Sequence, residues 1–276
     1  MTTIHEKVNK LNELLLSFRS VAIAFSGGVD STFLAAAAHR ILGDKAIAIT
    51  AISESSPERE RVDAQNIARQ IGIKHVILPA SEMNNADFVA NTSQRCYYCK
   101  KERFSALVTW AQEHGYNWVV EGTNADDLGD FRPGMKAIAE LPRVKSPLFS
   151  TGFTKAEIRA ISKEWGLPTW DKPSAACLVS RLVYGLPITV ERLSQVEQAE
   201  ELVRQHCSGQ IRVRHHDTLA RIEVQPEAIA GFLSNPEILP SIVAGIKKLG
   251  FTYVTLDLCG YRTGSMNETI VVPHLT

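Results

Sequence analysis

The sequence has no excess of either charge. Its 276 residues include 30 basic and 30 acidic side chains, which leaves a formal net charge of zero at pH 7. A protein that binds long nucleic acids normally carries a basic surface that neutralises phosphates. The balance therefore argues against a large nucleic-acid footprint, so we expect no nucleic-acid partner and a small molecule as the ligand.

The sequence also lacks a long apolar run. Residues 1–10 contain no apolar core flanked by basic residues, and no stretch reaches the length of a membrane-spanning helix. A composition of 45% hydrophobic and 22% charged residues is ordinary for a soluble protein. We expect a cytoplasmic protein with no membrane partner. The length exceeds one typical domain, which predicts a principal domain and a smaller one.

A disulfide framework and a complete zinc site are missing as well. The five cysteines are an odd number in a chain without a secretion signal: Cys96, Cys99, Cys177, Cys207 and Cys259. A zinc site normally takes four Cys or His ligands, whereas this chain offers one Cys-x-x-Cys pair and a distant third thiol. Three cysteines can hold a [4Fe–4S] cluster with one iron open. A redox dithiol at Cys96 and Cys99, with an inert Cys177, is the alternative; Cys207 and Cys259 fit core thiols better.

A glycine turn between two apolar runs is the most informative stretch of the chain. The run from Val21 to Phe25 predicts a buried strand, and the alanine-rich run 33–38 predicts a helix. A strand that turns into a helix at two glycines leaves unpaired N–H groups that can hold a phosphate. The lysine of a Walker A loop is absent. The residues predicted to contact ATP here are Ala24, Ser26, Gly27, Gly28, Asp30 and Ser31.

The order Ser-Gly-Gly-x-Asp-Ser in this turn resembles the PP-loop of ATP pyrophosphatases. These enzymes hold the β and γ phosphates as a leaving group and adenylate an oxygen of the substrate. In this interpretation Asp30 holds Mg²⁺ against the phosphates. The alternative is an ordinary connecting turn.

Apolar strands alternate with helices of about a dozen residues in the first part of the chain. The predicted strands are 21–25, 46–52, 74–78 and 117–120, an α/β pattern typical of a parallel sheet with helices on both faces. The PP-loop resemblance implies the Rossmann-like, adenine nucleotide alpha hydrolase-like version of this fold. Ligands of such sheets bind at the carboxyl ends of the strands. That rule adds Ser53, Thr123 and Asp126 to the ATP site, although residues 121–127 can also form a plain Asn/Asp turn.

A second, smaller α/β domain is predicted from residue 184 onward. The proposed division is 1–183 for the PP-loop domain and 184–276 for substrate binding and oligomerisation. Arg212 and Arg214 are two residues apart on a predicted strand, so they share one face and can grip a phosphate. A solvated strand face is the alternative. Lys101 is predicted to neutralise the ATP phosphates.

Motifs along nearly the whole chain resemble those of the LarE family of PP-loop sulfur transferases. They are 24–31, Tyr97-Tyr98 with Lys100-Lys101, Asp130-Phe131-Arg132-Pro133-Gly134, Ser180-Arg181, Tyr184-Gly185, 212–214, 220–223 and 253–267. The resemblance implies an enzyme of nickel-pincer cofactor synthesis. Its substrate is pyridinium-3,5-biscarboxylic acid mononucleotide, whose carboxylate is adenylated and then converted to a thiocarboxylate.

The resemblance also implies the source of the sulfur. Some family members donate it from one cysteine at the position of Cys177, which becomes dehydroalanine, and lack cysteines at the positions of Cys96 and Cys99. Others carry all three and use a [4Fe–4S] cluster that holds an extra sulfide. This chain matches the second kind, which implies a sulfide donor as partner. We expect a homo-oligomer.

Further roles rest on charge and on matches to the family motifs. Arg212, Arg214 and Arg181 are the candidates for the substrate phosphate, and Ser180 and Arg181 join Asp30 and Cys177 as catalytic candidates. A tRNA-thiolating PP-loop enzyme, an amide-forming synthetase that uses ammonia, and a non-enzymatic nucleotide-sensing module remain as alternatives.

Overall fold

The protein forms two compact units. The structure is a computed structural model that describes residues 3–129, 133–173, 176–234 and 236–269. The first unit comprises Met1–Glu82 and Cys96–Ala175, and the second comprises Met83–Arg95 and Ala176–Thr276.

Eight strands lie within the described residues. They are β1 (Val21–Ala24), β2 (Ala46–Ile52), β3 (Lys74–Pro79), β4 (Trp118–Val120), β5 (Val144–Lys145), β6 (Arg212–His216), β7 (Leu219–Glu223) and β8 (Tyr253–Leu256).

Helices connect most of these strands. They are α1 (Ile4–Phe18), α2 (Val29–Leu42), α3 (Glu58–Ile71), α4 (Ala86–Val89), α5 (Arg95–Glu113), α6 (Pro133–Ala139), α7 (Pro147–Ser150), α8 (Lys155–Glu164), α9 (Val190–Arg204), α10 (Pro226–Leu233) and α11 (Ile238–Lys248). Short 3₁₀ turns add Gly43–Lys45, Ala125–Gly129, Leu178–Arg181 and Ser265–Thr269.

The first unit is built on a five-stranded sheet in the order β3-β2-β1-β4-β5. Every neighbouring pair is parallel, with Ala22 opposite Ile47 on one side and Val119 on the other. The predicted parallel α/β sheet is therefore confirmed. The strand order reverses between β1 and β4, and ligands of such sheets bind at this reversal, outside the carboxyl ends of the strands.

Strand β5 is the one part of this sheet that the sequence did not indicate. Residues 143–148 read as a loop, and only Val144 and Lys145 pair with β4. A two-residue strand is too short to show a period of its own, because its pairing depends on the neighbouring strand.

Helix α2 packs against the sheet through its alanine-rich segment. Phe33 and Leu34 are fully buried, and the four alanines from Ala35 to Ala38 are at most 4% exposed. Small side chains allow the helix backbone to lie close to the strands, and this fixes the direction in which the amino end of α2 points. Helix α1 covers the same core with Leu11 and Leu15, as its helical spacing predicts.

The second unit is a three-stranded sheet covered by helices. Strands β6 and β7 are antiparallel, β7 and β8 are parallel, and the order is β6-β7-β8. Apolar residues of α9, α10 and α11, among them Val203, Phe232 and Ile246, form one core with the sheet.

The division between the units differs from the predicted boundary at 183/184. Residues 176–183 belong to the second unit, and so does the segment 83–95. Hydrogen bonds explain why the segment 83–95 belongs to the second unit. The side-chain Nδ2 of Asn91 donates to the carbonyls of Val183 (2.9 Å) and Leu186 (2.7 Å), and the backbone N of Ile188 donates to Val89 O (2.8 Å). A segment early in the sequence is thus tied to the start of the C-terminal part.

Within the described ranges, no single helix is long and apolar enough to cross a membrane. Helices α10 and α11 satisfy the length and composition criteria only as a pair bent by 103°.

Candidate functional site

The turn between β1 and α2 forms an open helix start. Gly28 occupies the N-cap position and supplies no side-chain hydrogen bond, so the first amides of the 14-residue helix are not capped by a side chain. Gly27 has φ +67°, and a Cβ on it would lie 3.1 Å from Ala64 Cα. Both the backbone conformation and the packing therefore require glycine here. The free amides and the helix dipole favour an anion at this point.

Two serine hydroxyls lie at the mouth of the same turn. The Oγ atoms of Ser26 and Ser31 are 3.1 Å apart, and Ser26 Oγ accepts a hydrogen bond from Gly28 N at 3.3 Å. Ser31 Oγ in turn accepts from Ser26 N at 3.3 Å. These bonds hold the turn in shape. We call residues 26–31 the phosphate loop from here on.

Asp30, in the first turn of α2, has one oxygen paired and one free. Its Oδ2 forms an ion pair with Lys155 Nζ, whereas Oδ1 is buried without a hydrogen-bond partner. An unsatisfied buried carboxylate oxygen is costly unless a cation or donor binds to it. The site therefore fits a divalent cation that binds together with a polyphosphate.

Lys155 was missed by the sequence analysis. It is the first residue of α8, after the N-cap Thr154, and its backbone N donates to Asp126 Oδ2 at 2.8 Å. The predicted site residue Asp126 therefore anchors the start of α8 and so places Lys155 beside Asp30. Since 125 residues separate the two partners, no local pattern could indicate the pair.

The loop after β4 packs directly on the phosphate loop. A Cβ on Gly122 would lie 3.1 Å from Asp30 Cβ and 3.2 Å from Ser31 N. The buried Glu121 carboxylate accepts hydrogen bonds from Thr123 N (3.0 Å) and Thr123 Oγ1 (2.7 Å). The Thr123 hydroxyl thus donates to Glu121 and holds this loop, and its role as an ATP contact stays a prediction.

Lysines other than Lys101 contact the phosphate loop. Lys172 Nζ lies 3.2 Å from Gly27 O and 3.1 Å from Asp63 Oδ2. Lys101 Nζ lies 3.2 Å from Tyr97 Oη and 3.6 Å from Glu140 Oε2, and the hydrogen bond with Tyr97 raises the pKa of Lys101. The role of Lys101 at the ATP phosphates stays a prediction, while Lys155 and Lys172 supply positive charge at the loop itself.

Ser53 lies in a loop that follows the carboxyl end of β2. Arg103 Nη2 donates to three hydroxyls of this loop, at Ser53 (2.6 Å), Ser55 (2.8 Å) and Ser56 (3.1 Å). Its Nε forms an ion pair with Glu82, which is 1% exposed. Neither Arg103 nor Glu82 was among the predicted site residues.

Cys96 and Cys99 lie near the start of α5, three residues apart on one helix face. Cys96 is exposed, and Cys99 is half-buried with its Sγ 3.1 Å from Glu82 Oε1. Gly134, the last residue of the motif 130–134, packs against the start of α5: a Cβ on Gly134 would lie 3.2 Å from Cys96 O. Residues 130–132 of that segment lie outside the described residues.

Cys177 and the predicted arginines lie in the second unit. Cys177 is exposed and precedes the 3₁₀ turn 178–181. Arg181 is 3% exposed; it forms two hydrogen bonds with Glu200 (2.8 and 3.1 Å) and donates to the Cys177 carbonyl at 2.8 Å. Arg214 binds Glu223 through two hydrogen bonds and reaches the carbonyl of Ser180 at 3.2 Å.

Arg212 is the exception among these arginines. It is 7% exposed, donates to the carbonyl of Ile211 at 2.7 Å and stacks on the Tyr261 ring at 5.2 Å. Burial, followed by the charge of Arg181, lowers its pKa. No carboxylate of the described residues forms an ion pair with it. Because Arg212 and Arg214 are both buried, the alternative of a solvated strand face is wrong.

Among the described residues, no group of three or more His, Cys, Asp and Glu side chains has an arrangement that could hold a metal ion. Cys96 and Cys99 belong to the first unit and Cys177 to the second. A site shared by all three thiols stays a prediction.

Comparison with known proteins shows to which family the chain belongs. A PP-loop domain family matches residues 1–131. Over 100% of this chain and 99% of the relative, the sequence is 34% identical to pyridinium-3,5-bisthiocarboxylic acid mononucleotide synthase of Lactiplantibacillus plantarum. The chain belongs to the LarE family of PP-loop sulfur transferases. An uncharacterized protein of Synechocystis sp. is 43% identical over 97% of this chain and 99% of the relative.

The extent of the sequence matches also distinguishes sulfur transfer of the LarE type from tRNA thiolation. A tRNA-specific 2-thiouridylase of Xanthobacter autotrophicus is 28% identical over 72% of this chain and 60% of its own length. This partial match is more distant than the full-length match to the LarE-type synthase. The protein is an ATP-using sulfurtransferase of the LarE family, and the tRNA-thiolating alternative is disfavoured.

Proposed function

We propose that the protein adenylates a carboxylate of pyridinium-3,5-biscarboxylic acid mononucleotide and converts it to a thiocarboxylate. The full-length similarity to the pyridinium-3,5-bisthiocarboxylic acid mononucleotide synthase supports the substrate. The observation that carries the chemistry is Asp30, which presents a buried, unpartnered oxygen beside an uncapped helix start. This arrangement suits Mg²⁺ and the pyrophosphate half of ATP.

The first step is attack of a substrate carboxylate oxygen on the α-phosphorus of ATP. The bond between the α and β phosphates breaks, and pyrophosphate leaves with the electron pair. The α2 amides and the hydroxyls of Ser26 and Ser31 bind the leaving group, while Lys155 and Lys172 offset its charge. Donors placed in advance where charge develops stabilise the transition state without reorganisation.

The second step replaces AMP with sulfur at the activated carboxyl carbon. The thiol side chains of Cys96, Cys99 and Cys177 have the donor chemistry that a [4Fe–4S] cluster requires, and two of them share a helix face. Cys96, Cys99 and Cys177 would hold such a cluster, which would supply the sulfide that displaces AMP. Sacrificial transfer from Cys177 is the competing source of sulfur.

The arginines of the second unit are proposed to bind the substrate phosphate. Arg181 and Arg214 are held by Glu200 and Glu223, which fixes their positions and offsets part of their charge. Arg212 lies in the same group without an ion-pair partner, so an anion would remove the cost of its burial. This makes Arg212 the main candidate for the phosphate contact.

The test supplies ATP, Mg²⁺, sulfide and the biscarboxylic acid mononucleotide to the anaerobically reconstituted protein and measures pyrophosphate, AMP and the mass of the product. We expect pyrophosphate to form only with the substrate present, and the product to gain the mass difference between sulfur and oxygen. Asp30→Asn should lower pyrophosphate release by about 10²–10³-fold. The matched control is Asp44→Asn, a change at an exposed carboxylate paired with Lys74. Wild-type release by the Asp30 variant would refute this role of the loop.

A further inference from the structure

Residues 53–56, here called the serine loop, are connected to Cys99 by two side chains of the first unit. Arg103 lies four residues after Cys99 in α5, so their side chains are neighbours on one helix face. Arg103 binds the serine loop through Nη2 and Glu82 through Nε, and Glu82 Oε1 lies 3.1 Å from Cys99 Sγ. The order of contacts is serine loop, Arg103, Glu82, Cys99.

The geometry of Arg103 couples its two ends. The guanidinium is planar, and its N–H groups point in fixed directions. It therefore cannot follow the serine loop without moving its contact with Glu82. A lysine would keep the charge, but its single ammonium group cannot hold the three hydroxyls and the carboxylate in the same way.

Burial prevents Glu82 from absorbing such a movement. Its side chain is 1% exposed, so the carboxylate cannot swing into water when Arg103 shifts. Its second oxygen, Oε2, is buried without a hydrogen-bond partner. A shift of Arg103 therefore acts on the contact that Glu82 makes with Cys99 Sγ, because buried hydrogen-bonded groups affect one another strongly.

The serine loop is placed where it meets the nucleotide in the proposed function. It follows the carboxyl end of β2, the strand beside β1, at the sheet edge that holds the phosphate loop. A serine hydroxyl that accepts from Arg103 still has its own O–H to donate. The Oγ atoms of Ser53 and Ser55 share one hydrogen bond at 3.1 Å, so one O–H of this pair is used there, and the other stays available for a bound phosphate or ribose oxygen.

We propose that Arg103 and Glu82 are positioning residues that transmit occupation of the nucleotide site to Cys99. A nucleotide that binds the serine loop shifts Arg103 and Glu82. This shift changes the contact between Glu82 and the Cys99 thiol, and with it the reactivity of that thiol. This inference rests on the proposed function, since it assumes that ATP binds at this edge of the sheet. It adds a link between the adenylation site and one of the sulfur-handling cysteines.

The test measures alkylation of Cys99 in the full-length, metal-free protein, with and without Mg²⁺ and α,β-methylene-ATP. Fragment-ion mass spectrometry that localises the alkyl group to Cys99 separates it from Cys96 on the same tryptic peptide and from the other three thiols. We expect the analogue to change the alkylation rate of Cys99 about five-fold or more, within the usual range of coupling between sites. In Arg103→Lys the ratio should fall to about one while the analogue still binds. Arg61→Lys is the matched control, an exposed arginine paired with Glu58.

Calorimetric binding of the analogue separates the possible failures. If the analogue does not bind the wild-type protein, the proposed function is wrong. If it binds and the Cys99 rate stays constant, or if Arg103→Lys keeps the wild-type ratio, the coupling is refuted. Should Arg103→Lys not fold, Glu82→Gln replaces it, because the amide keeps the size of the side chain and removes the ionic contact with Arg103. A wild-type ratio in that variant also overturns the inference.

Discussion

At the scale of single residues, Lys155 distinguishes this phosphate loop from one with a lysine of its own. The Ser-Gly-Gly-x-Asp-Ser motif has no lysine, and the charge comes from α8, far along the chain. In the described structure Lys155 is paired with Asp30. Binding of Mg²⁺ at Asp30 would release Lys155 to the phosphates, so one residue serves both the free and the bound state.

We predict that Lys155→Ala weakens binding of Mg²⁺-pyrophosphate by about 10- to 100-fold, the loss expected for one charge-assisted hydrogen bond. Isothermal titration calorimetry measures the affinity. Lys163→Ala, a change in the same helix at a lysine over the Trp170 ring, should leave it unchanged. Unchanged binding by Lys155→Ala, or an equal loss in Lys101→Ala, would contradict the assignment of the loop charge to Lys155.

Arg212 should act on the nucleotide substrate and not on ATP. Its guanidinium has no ion pair within the described structure, so Arg212→Ala removes a contact to the substrate phosphate without breaking a protein salt bridge. We expect a loss of about 10-fold or more in kcat/KM for the mononucleotide and an unchanged affinity for ATP. Steady-state kinetics and ATP titration check this. Equal losses for both ligands would place Arg212 elsewhere.

At the scale of elements, the start of α8 has a functional consequence. Thr154 and Glu157 form a capping box, for which the Thr-x-x-Glu spacing is the local sequence signature. The sequence did not predict that this helix start lies at the phosphate loop. A local pattern reports where a helix begins, whereas its neighbours depend on contacts between distant segments.

Thr154→Ala is therefore expected to affect both stability and pyrophosphate binding. Loss of the cap costs about 1 kcal/mol in the free energy of unfolding, measured by urea denaturation. The same change loosens the first turn of α8, and we expect weaker pyrophosphate binding. Thr3→Ala removes an equivalent capping box from α1 and should lower stability alone. If both variants bind pyrophosphate like the wild type, the cap does not position Lys155.

At the scale of the whole molecule, the sequence predicted the parts that follow local rules. The strands β1 to β4, the glycine turn and the parallel sheet were evident, because apolar runs and glycines report burial and turns. The sequence did not indicate that residues 83–95 belong to the same unit as the C-terminal part. It depends on the Asn91 side chain and on backbone bonds across about 90 residues, which leave no periodic signal.

The same distinction between local and distant contacts separates the site residues that the sequence indicated from those that it did not. Ser26, Asp30 and Ser31 lie together, because the motif and the strand-to-helix turn are one local unit. Lys155, Lys172, Glu82 and Arg103 were missed, since single charged residues outside a motif resemble surface residues in a sequence. Burial, as at Glu82, is visible only after folding.

We propose that sulfur transfer by this protein depends on Cys96, Cys99 and Cys177 together. The most direct measurement is anaerobic reconstitution of each Cys→Ala variant with iron and sulfide, with Cys259→Ala as the control. It is followed by iron content, turnover with added sulfide and intact mass. We expect the three variants to lose iron and sulfur transfer together but to keep ATP-dependent pyrophosphate release, and the wild type to turn over repeatedly with unchanged mass. A single turnover, with Cys177 converted to dehydroalanine and full activity in the Cys96 and Cys99 variants, would contradict it.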